Sequence, residues 1–233
     1  MPIGIRIVRR VSLLAILVLA AARLPGASAM LEQGAALYQD NKPAEARPLL
    51  EEAIAQDPAA ESAYLYLGIV YQQLGDNERA IAVLKRGLNV ATQHRDLFLF
   101  NIGNNYFARQ QYTFAEENYS AAVGANQQLA PAYLNRGSSR LALEQYEGAL
   151  ADYTLYLQLA PRDPQRPAIE QMIGLLQDLL AKRAAEQQAE ADRQKSLMND
   201  VMNSLTNASD DARNLRREDL TITDDAEDVD IQE

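Results

Sequence analysis

Cysteine is absent from the 233-residue sequence, and histidine occurs once, at His94. Without cysteine the chain has no disulfide framework, no thiolate metal site and no cysteine nucleophile. His94 lies in the segment ATQHRD at 91–96, and a single histidine in a connection is more typical of a solvated or capping residue than of a catalyst. We therefore predict no catalytic residue, no metal site and no bound cofactor.

Nucleotide-binding and calcium-binding patterns are also missing. The sequence contains no P-loop, no GxGxxG segment and no loop of alternating acids around a central glycine. Lysine and arginine number 22 against 32 acidic residues, and the net charge is −10. Such an acidic chain is poorly suited to nucleic acid or to anionic lipid. We predict that the protein is not an enzyme and has no nucleic-acid partner.

Residues 1–29 have the order of parts that a secretory signal requires. Three arginines in MPIGIRIVRR precede the uncharged run VSLLAILVLAAA, and LPGASA ends with Ala27 and Ala29 as small residues at a cleavage site. The run of twelve residues at 11–22 is shorter than the ~20 that span a bilayer, so an uncleaved anchor is the weaker alternative. We expect a cleaved signal, a mature chain near Met30 without membrane insertion, and a location in the bacterial periplasm or cell envelope.

Glycine and alanine recur with a period of 34 or 35 residues. The glycines are Gly34, Gly68, Gly103 and Gly137, and each is followed twelve residues later by an alanine, at Ala46, Ala80, Ala115 and Ala149. Apolar residues around each glycine follow the i, i+3, i+4, i+7 spacing of a helix, and breaks such as GDN at 75–77 separate it from a second helix. The small residues predict close approach of two helices rather than of a ligand.

This pattern resembles the tetratricopeptide repeat family, whose unit is a helix, a tight turn and a helix. The resemblance covers about residues 28–161 and implies an all-α fold, a right-handed superhelix of about four helix pairs at about 30–60, 61–95, 96–129 and 130–161. The last copy departs from the family pattern, because Arg136 and Arg140 replace a large apolar residue and a tyrosine. Looser packing is therefore expected there.

Three prolines between 160 and 167 mark the end of the repeats. A helical stripe of apolar residues follows, at Ile169, Met172, Ile173, Leu176, Leu179 and Leu180, and predicts a helix that caps the last repeat, with an extension, over 165–205. A second stripe comprises Leu197, Met198, Val201, Met202 and Leu205. It is either a docking motif for a partner's groove or a segment that folds back on the repeats. We expect residues 206–233 to form a disordered acidic tail.

The resemblance also implies a binding surface, because the first helices of the family's units line a concave groove. The residues at the corresponding positions are Leu65, Ile69, Phe100, Asn101, Asn104, Phe107, Leu134, Asn135 and Ser138. Leucine stands at 31, 65 and 134, where the family's carboxylate-clamp members have lysine or arginine, so a clamp for a terminal carboxylate is not expected. The apolar and amide composition instead suits an extended or helical peptide.

The sequence therefore predicts a non-catalytic scaffold or assembly adaptor of the bacterial envelope that binds a protein or peptide. Two alternatives stay open. The chain is an accessory subunit of an envelope enzyme or transport complex, or it is a structural protein that associates with itself. The oligomeric state is not predicted.

Overall fold

A computed structural model of the protein describes the backbone of residues 26–225 and the side chains of residues 26–216. Within that range the chain forms nine helices and no strand. They are α1 (Ala27–Gln39), α2 (Pro43–Gln56), α3 (Glu61–Gln73), α4 (Asn77–Val90), α5 (Arg95–Ala108), α6 (Tyr112–Ala125), α7 (Ala130–Ala142), α8 (Tyr146–Leu159) and α9 (Arg166–Asp225). The first eight make four consecutive pairs, which confirms the all-α repeat fold.

The two helices of each pair are joined in the same way. Residues Asn41, Gly75, Gln110 and Glu144 each follow the first helix of a pair and have positive φ, between 56° and 79°. The amide of the next residue then bonds back to the helix, as Asp76 N–H does to Tyr71 O at 2.9 Å and Gln145 N–H does to Arg140 O at 2.8 Å. This is the left-handed helix ending that favours glycine. Asp76 also caps α4, because its side chain accepts the amide of Arg79 at 3.0 Å.

The repeating glycines lie where the two helices of a pair are closest. A Cβ added at Gly68 would lie 2.4 Å from Leu84, and one at Gly103 would lie 2.6 Å from Tyr119. Leu50 and Tyr153 occupy the same place beside Gly34 and Gly137. Each contacting residue follows its glycine by sixteen positions, and the alanines at 46, 80, 115 and 149 are fully buried. Helix packing therefore accounts for the glycines, as the sequence predicts.

The described helices divide into two units, the first ending at Asn101 and the second beginning at Ile102. Leu50, Val70, Leu84 and Phe98 are fully buried in the first unit. The second unit has its own cluster, in which α9 contributes Ile169 and Leu176 next to Tyr153, Tyr156 and Leu157 of α8. The beginning of α9 thus covers the last repeat, which confirms the capping helix.

The C-terminal segment, residues 206–233, differs in part from the sequence-based expectation. Residues 206–225 continue α9 where a disordered tail was expected, and residues 226–233 lie outside the described range. No proline or glycine follows Gly174, so nothing in the local sequence stops the helix. Pairs within the helix, such as Arg213 with Asp210 at 3.5 Å, add to it.

The predicted signal peptide lies almost wholly outside the described residues. Helix α1 begins at Ala27, and Met30 is buried, so cleavage after Ala29 would remove the first three residues of this helix. Among the described residues, no helix is both long enough and apolar enough to cross a membrane.

Candidate partner-binding surface

The nine residues predicted to line a groove lie on the first helices of the last three pairs, α3, α5 and α7. All nine are half-buried: none is sealed in the core and none is fully exposed. In the first unit the row consists of Leu65, Ile69, Phe100 and Asn101. Asn101 uses its amide within α5, where Nδ2 donates to Leu97 O at 2.8 Å. This part of the row is therefore mainly apolar.

In the second unit the structure brings two of the predicted residues into direct contact. Asn135 Nδ2 of α7 donates to Asn104 Oδ1 of α5 at 2.8 Å. The same Oδ1 accepts the hydroxyl of Tyr119, a buried residue of α6, at 2.9 Å. Burial raises the pKa of Tyr119, so its hydroxyl stays protonated and acts as a donor. The two amides are therefore held in one orientation by a bond from the helix behind them.

The remaining predicted residues of the second unit are held by their own repeats. Ser138 Oγ donates to Leu134 O at 3.0 Å and lies 3.3 Å from the hydroxyl of Tyr153. The ring of Phe107 meets the edge of Tyr112, with 5.3 Å between the ring centroids. These contacts fix the side chains but do not cover them, since both Ser138 and Phe107 remain half-buried.

A buried ionic cluster in the second unit was not predicted from the sequence. Asp152 of α8 is only 1% exposed and receives two bonds from Arg136, at 2.9 and 2.6 Å, and one from Arg140 at 3.0 Å. Arg140 also reaches Glu116 of α6 at 2.8 Å. Burial by itself would lower the pKa of Arg136, but the bonds to Asp152 and its charge raise it. Arg136 therefore stays charged.

This ionic cluster corrects the expectation that the last repeat packs loosely. Arg136 and Arg140 do not loosen the last repeat, because they join α6, α7 and α8 through Asp152 and Glu116. The carboxylate of Glu116 is 20% exposed and pairs with Arg140. The available signal was the spacing of the two arginines by four residues, which places both on one side of α7.

His94 belongs to a structural link in the first unit. Glu61, at the start of α3, accepts the backbone amide of Thr92 at 2.9 Å and that of His94 at 2.7 Å. The imidazole Nδ1 of His94 lies 3.1 Å from the same carboxylate. Burial would raise the pKa of Glu61, but the amides of Thr92, His94 and Gln93 outweigh it together and lower the pKa to about 2.

Another feature missed from the sequence is a cavity of about 460 Å³ between α2, α3 and α4. Ile54, Leu67 and Val83 contribute apolar lining, and Arg79 and Arg86 lie at the same cavity. Its walls come from three helices of two consecutive repeats, so no single sequence segment reveals it. Between residues 26 and 216, no cluster of three acidic or histidine side chains is arranged to hold a metal ion.

The second apolar stripe, predicted from the sequence as a docking motif or a fold-back segment, lies far along α9. Leu197, Met198, Val201, Met202 and Leu205 are between 48% and 66% exposed. They belong to a continuous helix and do not fold back on the repeats, which removes that alternative for the described structure. A role in docking stays a prediction.

Comparison with known proteins identifies the repeat. Two family models, each described as tetratricopeptide repeat, match residues 37–98 and 100–164, which together make up more than half of the chain. The chain is 30% identical to RNA polymerase II-associated protein 3 of Xenopus laevis over 109 residues, covering 47% of this chain and 16% of that protein. It is 29% identical to Tetratricopeptide repeat protein 17 of Mus musculus over 111 residues, covering 47% and 9% respectively. The matched region thus spans less than a fifth of either relative.

Solved structures of other proteins resemble the fold. MamA from Desulfovibrio magneticus RS-1 superposes with a TM-score of 0.59 and 23% identity, covering 69% of this chain and 89% of that chain. PilF of Pseudomonas aeruginosa gives a TM-score of 0.57 and 19% identity, covering 68% and 69%. At these identities the likeness concerns the fold alone.

Proposed function

Because the chain belongs to the tetratricopeptide repeat family, we propose that it is a non-catalytic scaffold or assembly adaptor that binds a peptide segment of another protein. The binding surface is the half-buried row on the first helices. The observation that carries this proposal is the amide pair Asn104 and Asn135, held in place by Tyr119. A fixed amide pair beside apolar side chains is suited to bond a peptide backbone while neighbouring pockets select side chains.

The bonds within the pair determine which atoms are offered to a peptide. Asn104 uses its carbonyl oxygen and Asn135 uses its amino group. Asn104 Nδ2 therefore provides a donor and Asn135 Oδ1 an acceptor, the two functions that a peptide unit requires. Leu134 and Phe107, half-buried on the same helices, supply apolar contact area. The second unit thus offers a complete, uncharged contact for an extended or helical segment.

The partner is expected in the bacterial envelope. This part of the proposal rests on residues 1–29, whose arginines, apolar run and small residues are those of an export signal. Fractionation of cells that express the full sequence should place the protein in the periplasm, and sequencing of its N-terminus should give a start near Met30. A protein that stays in the cytoplasm with residues 1–29 attached would contradict the location without affecting the peptide-binding proposal.

Binding is tested by affinity capture from envelope extract, followed by titration of the captured protein's binding segment. Asn104→Ala removes the shared acceptor of the amide pair and should weaken binding at least tenfold. Asn118→Ala is the matched control, because that asparagine lies on the second helix α6 and bonds its own helix at 2.8 Å. Phe100→Ala tests the apolar part of the row in the first unit. Equal binding by all three variants would contradict the proposal, and circular dichroism checks that each variant is folded.

A further inference from the structure

Only the first part of α9 is attached to the repeats. Ile169 and Leu176 are buried against α8, and the guanidinium of Arg183 lies 4.5 Å from the ring centre of Tyr146. From residue 184 to residue 216 every side chain is exposed. These 33 residues form a helix about 50 Å long. It carries large apolar side chains in water, including Leu205 and Leu215, which are 62% and 67% exposed.

Most apolar residues of this part follow a period of 3.5 residues rather than 3.6. Steps of four and three residues from Leu180 lead to eleven positions: Leu180, Ala184, Gln187, Ala191, Gln194, Met198, Val201, Leu205, Ala208, Ala212 and Leu215. Nine are apolar, two are glutamine and none is charged, although twelve charged residues lie between 180 and 216. A heptad seam of this kind is the pattern of a helix that pairs with another long helix. We call these eleven positions the α9 seam.

The charges beside the α9 seam indicate which helix is the partner. The seam positions 184, 191, 198, 205 and 212 are the a positions of the heptad, because each is followed by a seam residue three places later. In a parallel, in-register pair of identical helices, the residue before each a position faces the residue five places later on the other copy. Glu190 then faces Lys195 of the second copy, and Asp211 faces Arg216 of the second copy. Leu197 faces Met202 in the same way, which widens the apolar contact. No pair of like charges occurs along the α9 seam, so a second copy is complementary without any change.

We infer that α9 beyond Arg183 is a dimerisation helix, which pairs in parallel and in register with α9 of a second copy. The large residues of the α9 seam lie mainly between Met198 and Leu215, so the contact is centred there. The alanines bury little area, and the glutamines are polar, so the dimer dissociates at low concentration rather than being obligate. Two copies would present two binding surfaces to one partner assembly and so increase avidity.

The first experiment measures the mass of the purified protein, expressed from the full sequence, by sedimentation equilibrium over a range of concentrations. The protein should pass from monomer to dimer. Leu205→Glu places a charge in the α9 seam and should raise the dissociation constant at least tenfold. Asn203→Glu adds the same charge on the opposite side of the helix and should leave it unchanged. A monomer at every concentration, or a dimer that Leu205→Glu does not weaken, would overturn the inference.

The orientation is tested with cysteines, which the natural chain lacks. Leu205→Cys should form a disulfide with its own copy under mild oxidation, and so should Ala191→Cys, whereas Asn203→Cys should not. Asp211→Arg should weaken the dimer, because it faces Arg216 of the second copy, and Arg216→Asp added to it should restore the affinity. Crosslinks that form only when the 191 and 205 variants are mixed would show an antiparallel pair and overturn the parallel arrangement.

Discussion

The second and fourth repeats have the same backbone pairing but different chemistry between their helices. In the second repeat Leu67, Tyr71 and Val83 are buried apolar or aromatic residues. The corresponding positions of the fourth repeat hold Arg136, Arg140 and Asp152, which form the buried ionic cluster. The glycine stays in both, at Gly68 and Gly137. The close helix contact is therefore the constant of the repeat, while the residues around it change as a set.

The largest effect is expected from breaking the ionic set of the fourth repeat. Asp152→Ala leaves two partly buried arginines without their shared carboxylate and should lower the free energy of unfolding by about 3 kcal/mol. Val83→Ala, at the same position of the second repeat, removes only two methyl groups and should cost about 2 kcal/mol. Urea denaturation measures both.

The ionic set should be replaceable as a whole. The triple variant Arg136→Leu, Arg140→Tyr, Asp152→Val gives the fourth repeat the residues that the second repeat has at these three positions. We expect the triple variant to be more stable than Asp152→Ala, because no buried charge is left unpaired between α7 and α8. A triple variant as unstable as the single one would show that the two sets are not equivalent.

The glycines should respond to the different neighbours in the two repeats. A Cβ at Gly68 would lie 2.4 Å from the branched carbon of Leu84, whereas one at Gly137 would lie 2.9 Å from the edge of the Tyr153 ring. Gly68→Ala should therefore destabilise the protein by about 1–2 kcal/mol, even after the gain in helix propensity. Gly137→Ala should cost less. The reverse order in thermal or urea unfolding would contradict helix contact as the reason for the glycines.

Acid should weaken the second repeat through Glu61, whose counterpart in the fourth repeat is Ala130. The pKa of Glu61 is lowered from 4.5 to about 2 in the folded protein. The contribution of Glu61 to the free energy of unfolding is therefore complete above its pKa in the unfolded chain. It is lost as the pH falls from about 5 towards 2. Glu61→Gln should reduce the loss of stability over that window, with Glu117→Gln on α6 as the control. Identical pH profiles for Glu61→Gln and the natural protein would contradict this assignment.

The smallest expected effect concerns the turn between the two helices. The second repeat has Gly75 at the positive-φ position, where the fourth has Glu144 with φ 58°. Glu144→Gly should stabilise the protein by about 0.5–1 kcal/mol, because glycine adopts this conformation without the Cβ conflict. Gly75→Ala should destabilise it by a similar amount. The pair of variants is compared by urea denaturation, and a loss of stability in Glu144→Gly would contradict the explanation.

The fold could be predicted from the residues that recur with the repeat period. Features formed by residues that do not recur could not be predicted from the sequence. Gly68 and Ala80 with their counterparts predicted four helix pairs, because small residues at a fixed interval mark close helix contacts. The ionic cluster could not be predicted in this way, since Asp152 and Glu116 come from two different second helices and meet the arginines only in the folded repeat. The length of α9 is hard to predict from the sequence, because the acidic composition near its end is typical of a disordered segment while the residues before it favour a helix.

The candidate surface was predictable by position but not by its internal bonds. The repeat pattern placed Asn104 and Asn135 on the same sides of their helices, and the structure joins them. The hydrogen bond from Tyr119 could not be predicted from the sequence, because Tyr119 lies on α6 and contacts Asn104 only in the folded protein. The assignment of this surface to a partner stays a prediction that binding experiments must decide.

A photo-crosslinking comparison tests the central claim most directly. Benzoylphenylalanine is placed either at position 107, in the half-buried row of α5, or at position 114, where Phe114 is 51% exposed on α6. Irradiation with the captured partner should give a crosslink from position 107 and little or none from position 114. A crosslink from position 114 with none from position 107 would contradict binding on the first helices and move the contact to the second-helix face.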